Sequence, residues 1–155
     1  SKSGPSLKAE ALAQLFQAYN RPKPRVREGR LLRAHGVTAA IDISDGLVDD
    51  LGKLCQASNV GARVQAMAIP VNEALKVAFP KEWRQLSLSG GDDYEILFTA
   101  PQPVMDTVID VLDIEVSIIG DVVDVTEGVV VIDEEGAPLI DQLGGWDHFR
   151  PFSAK

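Results

Sequence analysis

Two short acidic stretches hold the residue types that could do chemistry, and each abuts glycine, where backbone can approach a ligand closely. The first is Asp42-Ile43-Ser44-Asp45-Gly46. Asp42 interrupts an apolar run, where a carboxylate is costly unless it is hydrogen-bonded, paired or bound to a cation. Two readings stand side by side. In one, Ser44 or Asp45 caps the helix that follows and Asp42 accepts hydrogen bonds from a loop. In the other, Asp42 and Asp45 hold Mg²⁺, which takes one or two carboxylates together with water and the phosphates of a nucleotide. Ser44 and the first N–H groups of the helix then meet a phosphate oxygen directly.

The second stretch is Gly90-Gly91-Asp92-Asp93-Tyr94-Glu95. Three carboxylates within four residues repel one another, and a solvated turn accounts for Asp92 and Asp93. It does not account for Glu95, which is expected to share a strand face with Leu97 and to point inward. There an ionised group needs a cationic ligand, an arginine or a metal. The remaining candidates are bland. Cys55 falls on an apolar helix face and reads as core, His35 and His148 are isolated and form no zinc-type spacing, and no GxxxxGK[ST], GxGxxG or GxSxG run occurs. Trp146 and Phe149 either close the core or stack on an aromatic ligand.

The elements that must position these residues follow from periodicity. Leu12, Leu15, Phe16 and Tyr19 recur on one face of an expected helix from Leu7 to Tyr19. RPKPRV is then an extended connector before a short helix at 28–34. The apolarity of 37–43 predicts a strand buried on both faces, interrupted by Asp42. Leu47, Leu51, Leu54 and Cys55 predict a helix ending near Asn59, with Asp49, Asp50 and Lys53 on its other faces. Strands are expected at 60–69, 94–100, 116–123 and 129–132, the last turning through Glu134-Glu135-Gly136 to a hairpin partner at 137–140. Short helices are expected at 71–79 and after Pro101. Strands and helices without strict alternation argue for α+β, a mixed or antiparallel sheet covered by helices.

Composition narrows the function. The chain has 155 residues, enough for one domain with a core but not for a complete two-domain enzyme. Fifteen basic residues against 23 acidic ones give a net charge of −8, so nucleic acid is excluded as an expected partner. No apolar run approaches the roughly 18 residues that cross a bilayer, so no membrane is expected. A start at SKSGPS without Met points to an expression scar or a cut inside a longer chain, with residues 1–20 a scar or linker and helix. The lone Cys55 and the lack of a signal-peptide pattern suit a cytoplasmic protein.

Four segments together resemble the C-terminal half of the thiamine-monophosphate kinase family: RPKPRVREGRLL (21–32), AIDISDGLVDDLGKLCQAS (40–58), LSGGDDYEILFTAP (88–101) and GWDHF (145–149). They stand in the family's order and span nearly the whole chain. The resemblance implies an aminoimidazole ribonucleotide synthetase-like C-terminal fold over 21–155, with the N-terminal ATP-binding domain absent. It implies an ATP-dependent kinase that converts thiamine monophosphate to thiamine diphosphate by in-line transfer, with Mg²⁺, as a homodimer. It further implies Asp42 and Asp45 as metal ligands and Ser44 as a nucleotide contact. Asp93 would be the main substrate contact, with Asp92 and Glu95 beside it, and Phe149 ahead of Trp146 as the residue stacking on substrate. Alternatives are another ATP-dependent synthetase or dehydratase of that superfamily, or a non-catalytic binding module when the domain stands alone.

Overall fold

The computed structural model describes residues 6–139. Along them run α1 (Leu7–Asn20), α2 (Val26–Ala34), β1 (Ala39–Asp42), α3 (Leu47–Ser58), β2 (Gly61–Gln65), α4 (Glu73–Ala78), α5 (Trp83–Ser89), β3 (Ile96–Thr99), α6 (Gln102–Val111), β4 (Gly120–Val123) and β5 (Val129–Ile132). β1 and β3 form an antiparallel ribbon. The second sheet has the order β4-β2-β5, antiparallel on one side of β2 and parallel on the other. The α+β expectation, with a mixed sheet and covering helices, therefore holds. No helix among these residues is long and apolar enough to cross a membrane.

The main core forms where the apolar stripe of α3 meets the mixed sheet. Leu47, Leu51, Leu54 and Cys55 pack with Ala62 and Val64 of β2, Val131 of β5, Leu88 of α5 and Leu97 of β3. Full burial of each such aliphatic side chain contributes about 1.5–3 kcal/mol. Asn59 ends α3 in the left-handed region, at φ 53°, while the N–H of Val60 donates to the Cys55 carbonyl. A second core joins Leu32 of α2 and Val37 to Val108 of α6 and Leu112, with Ile96 and Phe98 leaning in. β3 thus divides its alternating side chains between two cores, as the period of a strand requires.

Several expectations give way. β1 is not buried on both faces: Ala40 and Asp42 are exposed, because among the described residues the strand has β3 alone as neighbour, and the small Ala40 side chain is one that an open face tolerates. Phe16 and Tyr19 lie outside the α1 contact. The facing helix α4 has only six residues and offers Ala74 and Ala78, which take Ala11, Leu12 and Leu15 alone. α5 lies in a segment for which no element is expected from the sequence. Pairing in the fourth expected strand is confined to Gly120–Val123. Among the described residues, which end at 139, the hairpin after Glu134-Glu135-Gly136 reduces to one bridge, Ile132 to Pro138.

Candidate functional site: two interlocked acidic turns

Both acidic stretches leave the same end of the β1–β3 ribbon, and backbone hydrogen bonds lace them together. The N–H of Ile43 donates to the Glu95 carbonyl (2.9 Å), that of Tyr94 to the Ile43 carbonyl (2.8 Å), and that of Asp92 to the Ser44 carbonyl (2.9 Å). Two glycines make the fit possible. A Cβ on Gly91 would lie 2.5 Å from the Ser44 carbonyl oxygen, and Gly46, at φ 127°, has the Ser89 carbonyl oxygen 3.0 Å from where a Cβ would stand. Asp92 and Tyr94 both adopt left-handed backbone, φ 65° and 54°, which is costly outside glycine and rarely kept without surrounding support. These residues therefore stay in the turn, and the strand expected from Tyr94 begins only at Ile96.

The first turn is organised by a residue that the sequence reading placed on an outer helix face. Asp50 is only 1% exposed. Its Oδ2 accepts from the backbone N–H groups of Ser44 (2.9 Å), Asp45 (2.9 Å) and Gly46 (3.3 Å), and its Oδ1 from Lys53 Nζ (2.6 Å). Lys53 also pairs with the Asp45 carboxylate. Burial alone would lift the Asp50 pKa, but Lys53 and the backbone donors outweigh it and hold the group below its ordinary 3.8. Neither Ser44 nor Asp45 caps the helix: Gly46 is the N-cap and makes no side-chain cap bond. Nor are the N–H groups of residues 44–46 open to a phosphate, because Asp50 holds them. The available signal was position: Asp50 stands three residues after Leu47 and one before Leu51, inside the apolar stripe.

In the second turn, Asp92 Oδ1 accepts from the Tyr94 hydroxyl at 2.8 Å, which raises the tyrosine pKa. Desolvation, then the charges of Glu95 and Asp92, push the Asp93 carboxyl above its usual range. Glu95 does not point inward. Its side chain is 51% exposed and forms a two-pronged pair with Arg25, Nε to Oε2 at 2.7 Å and Nη2 to Oε1 at 2.8 Å. Of the three partners its position called for, the structure supplies arginine, from the Pro-rich connector. The strand begins one residue too late to carry Glu95 into the core.

Beside the turns lies an open cleft of about 390 Å³, apolar along Pro22, Pro24, Val26 and Ile96, with Asp42, Tyr94 and Arg25 on its wall. A larger hollow, about 670 Å³, sits against α2 and carries no carboxylate. The cleft combines apolar surface, an aromatic ring, the Asp42 carboxylate and a guanidinium already paired with Glu95, a lining that leaves Asp42 and the ring to meet a flat cationic ligand.

Asp42 is exposed and makes no hydrogen bond or ion pair with a described side chain, whereas Asp45 shares its charge with Lys53. Among the described residues no three of His, Cys, Asp and Glu group to hold a metal ion. Mg²⁺ does not demand such a group, since it keeps waters and takes one or two carboxylates alongside phosphate oxygens. Asp42 and Asp45 are carboxylates of that kind, Asp42 exposed and Asp45 paired with Lys53. Trp146 and Phe149 lie outside the described residues.

An α+β domain that gathers carboxylates from two interlocked turns at one end of a ribbon is a class with relatives. Residues 7–133 match the family of AIR synthase related proteins, C-terminal domain, and the chain belongs to that family. It is 36% identical over 139 residues to thiamine-monophosphate kinase of Escherichia coli (strain K12), covering 87% of this chain and 42% of that protein. Among solved structures, thiamine-monophosphate kinase from Stenotrophomonas maltophilia K279a is similar with a TM-score of 0.66 at 34% identity, over 81% of this chain and 46% of that one. AaThiL complexed with AMPPCP and TMP is similar with a TM-score of 0.72 at 28% identity, over 96% and 44%. The chain spans less than half the length of these relatives.

Proposed function

We propose that this chain is the C-terminal, substrate-binding part of an ATP-dependent kinase that phosphorylates thiamine monophosphate to thiamine diphosphate. The observation that carries the reading is the similarity of 96% of the chain to a protein complexed with AMPPCP and TMP, with both acidic turns inside residues 7–133, which match the family. The reading includes an N-terminal nucleotide-binding domain elsewhere in the protein, a homodimeric assembly and a cytoplasmic location.

Asp42 and Asp45 would hold Mg²⁺. Bound there, the ion supplies neutralisation of charge on the phosphates of donor and acceptor. Ser44 offers its hydroxyl to the nucleotide. Asp93, whose carboxyl is pushed up first by desolvation and then by the charges of Glu95 and Asp92, gains by facing a cation such as a thiazolium ring. Asp92 holds Tyr94 at the cleft wall, and Glu95 with Arg25 fixes the outer side of the turn. Phe149 and Trp146 are assigned to stacking on the substrate. The acceptor is already an ionised phosphate oxygen at neutral pH, so no residue has to act as a strong general base.

The test is steady-state turnover of the full-length protein with ATP and thiamine monophosphate. Turnover is expected, and Asp42→Asn or Asp45→Asn should lower kcat by at least about 100-fold with the fold intact. ATP hydrolysis driven by an aminoimidazole precursor or selenide, with thiamine monophosphate ignored, would overturn the assignment.

A further inference from the structure

We propose that Asp50 is the positioning residue of this site: a buried carboxylate that fills the anion seat at the start of α3 and thereby fixes where Ser44 and Asp45 present their side chains. The inference deepens the kinase reading, because those are the side chains assigned to nucleotide and metal.

Three observations converge. Asp50 is the one buried charged residue among the described residues. One of its oxygens gathers three consecutive backbone N–H groups, those of residues 44–46, while the other takes Lys53, whose ammonium also holds the Asp45 carboxylate. A single side chain thus sets the backbone of the turn through Oδ2 and the side chain of Asp45 through Oδ1. The setting extends to the second turn, because the carbonyls of Ile43 and Ser44 receive Tyr94 and Asp92. Asp50 itself cannot swing away, since Leu47, Leu51 and Leu54 pin the same helix face in the main core.

The chemistry is specific to a carboxylate. Converging N–H groups at a helix start are what a phosphate oxygen seeks, and here the protein fills that seat from within. Phosphate therefore reaches the site through the Ser44 hydroxyl and a carboxylate-held cation, not through those amides. An asparagine of the same shape has one acceptor oxygen and an NH₂ group, so it cannot serve both the turn and Lys53.

The experiment uses the full-length protein with D50N and D50A. Hydrogen exchange is read by mass spectrometry over peptides 42–50 and 90–96, with 61–65 and 129–132 as core references, beside kcat and KM for ATP and thiamine monophosphate, with and without sodium formate. Expected are faster exchange in both turn peptides with the core references unchanged, and a fall in kcat of about 10–100-fold with a smaller change in KM. In D50A, formate should restore part of the protection and of kcat while leaving wild type unaffected. Should D50A fail to fold, D50N decides alone by exchange and kinetics. D50N behaving as wild type in both would overturn the proposal. So would exchange rising equally in the core references without a formate response, which would make Asp50 a general stability residue. Wild type that exchanges as expected but does not phosphorylate thiamine monophosphate would remove the kinase reading and leave the exchange comparison to decide the positioning role.

Discussion

Gly91→Ala should disable the site while barely touching the core, and its size can be worked from the lacing of the two turns. The added methyl would sit 2.5 Å from the Ser44 carbonyl oxygen, and ordinary contact begins at 3.4 Å, so the turns must part by about 0.9 Å. That movement breaks both the 2.9 Å bond from Asp92 to Ser44 and the 2.8 Å bond from Tyr94 to Ile43. Two backbone hydrogen bonds at about 1 kcal/mol each, less about 0.5 kcal/mol from the stiffer unfolded chain, leave a loss near 1.5 kcal/mol. A domain of this size should melt about 3–6 °C lower. Activity should suffer far more, by about 100-fold in kcat of the full-length protein, because a displacement near 1 Å misplaces the reacting groups. Gly52→Ala is the control with the opposite sign: it lies within α3, a Cβ there meets nothing within 4 Å, and alanine should stabilise the helix by about 0.5–1 kcal/mol. Thermal melts of both variants with steady-state kinetics make the comparison. A Gly91→Ala protein as stable and active as wild type, beside a stabilised Gly52→Ala, would refute the close approach of the turns.

Leu51→Ala should cost about 2–5 kcal/mol, since Leu51 is 3% exposed in the main core; a urea denaturation midpoint that scarcely moves would remove it from that core. Burial raises the Cys55 thiol above its ordinary 9.0, so native protein at pH 8 should resist iodoacetamide and react fully once denatured. The same shift has a stability sign. The unfolded thiol ionises first, so the contribution is intact below pH 9.0 and declines as pH rises beyond it. Cys55→Ala should flatten that decline in melts taken from pH 8 to 10, and an unchanged slope would contradict the assignment.

What the sequence disclosed was whatever depends on local period. The α3 stripe, the capping position of Asn59, both strands that carry Leu97 and Val131, and the placement of both acidic stretches at strand ends followed from spacing. Asp50 escaped because a charged residue reads as solvent-facing, and its burial is repaid only by backbone donors that converge after the turn has folded. Glu95 was given three partners by its chemistry, and seventy residues of separation hid that Arg25 is the one. Phe16 and Tyr19 follow a helical stripe as well as Leu12 and Leu15 do. The width of the partner helix decides which of them is covered, and α4 is too short to take them.

The division of β3 between two cores bears on how the protein comes apart. Leu97 belongs to the α3 core, while Ile96 and Phe98 lean on the α2–α6 core, so any sub-global opening that lifts α2 and α6 also unseats this strand. The second acidic turn feeds directly into β3, and Arg25, which grips Glu95, leads directly into α2. Partial unfolding of the α2–α6 core would therefore dismantle the end that carries the two acidic turns while α3 and the mixed sheet stay folded. Thermal or proteolytic inactivation should accordingly precede loss of most secondary structure.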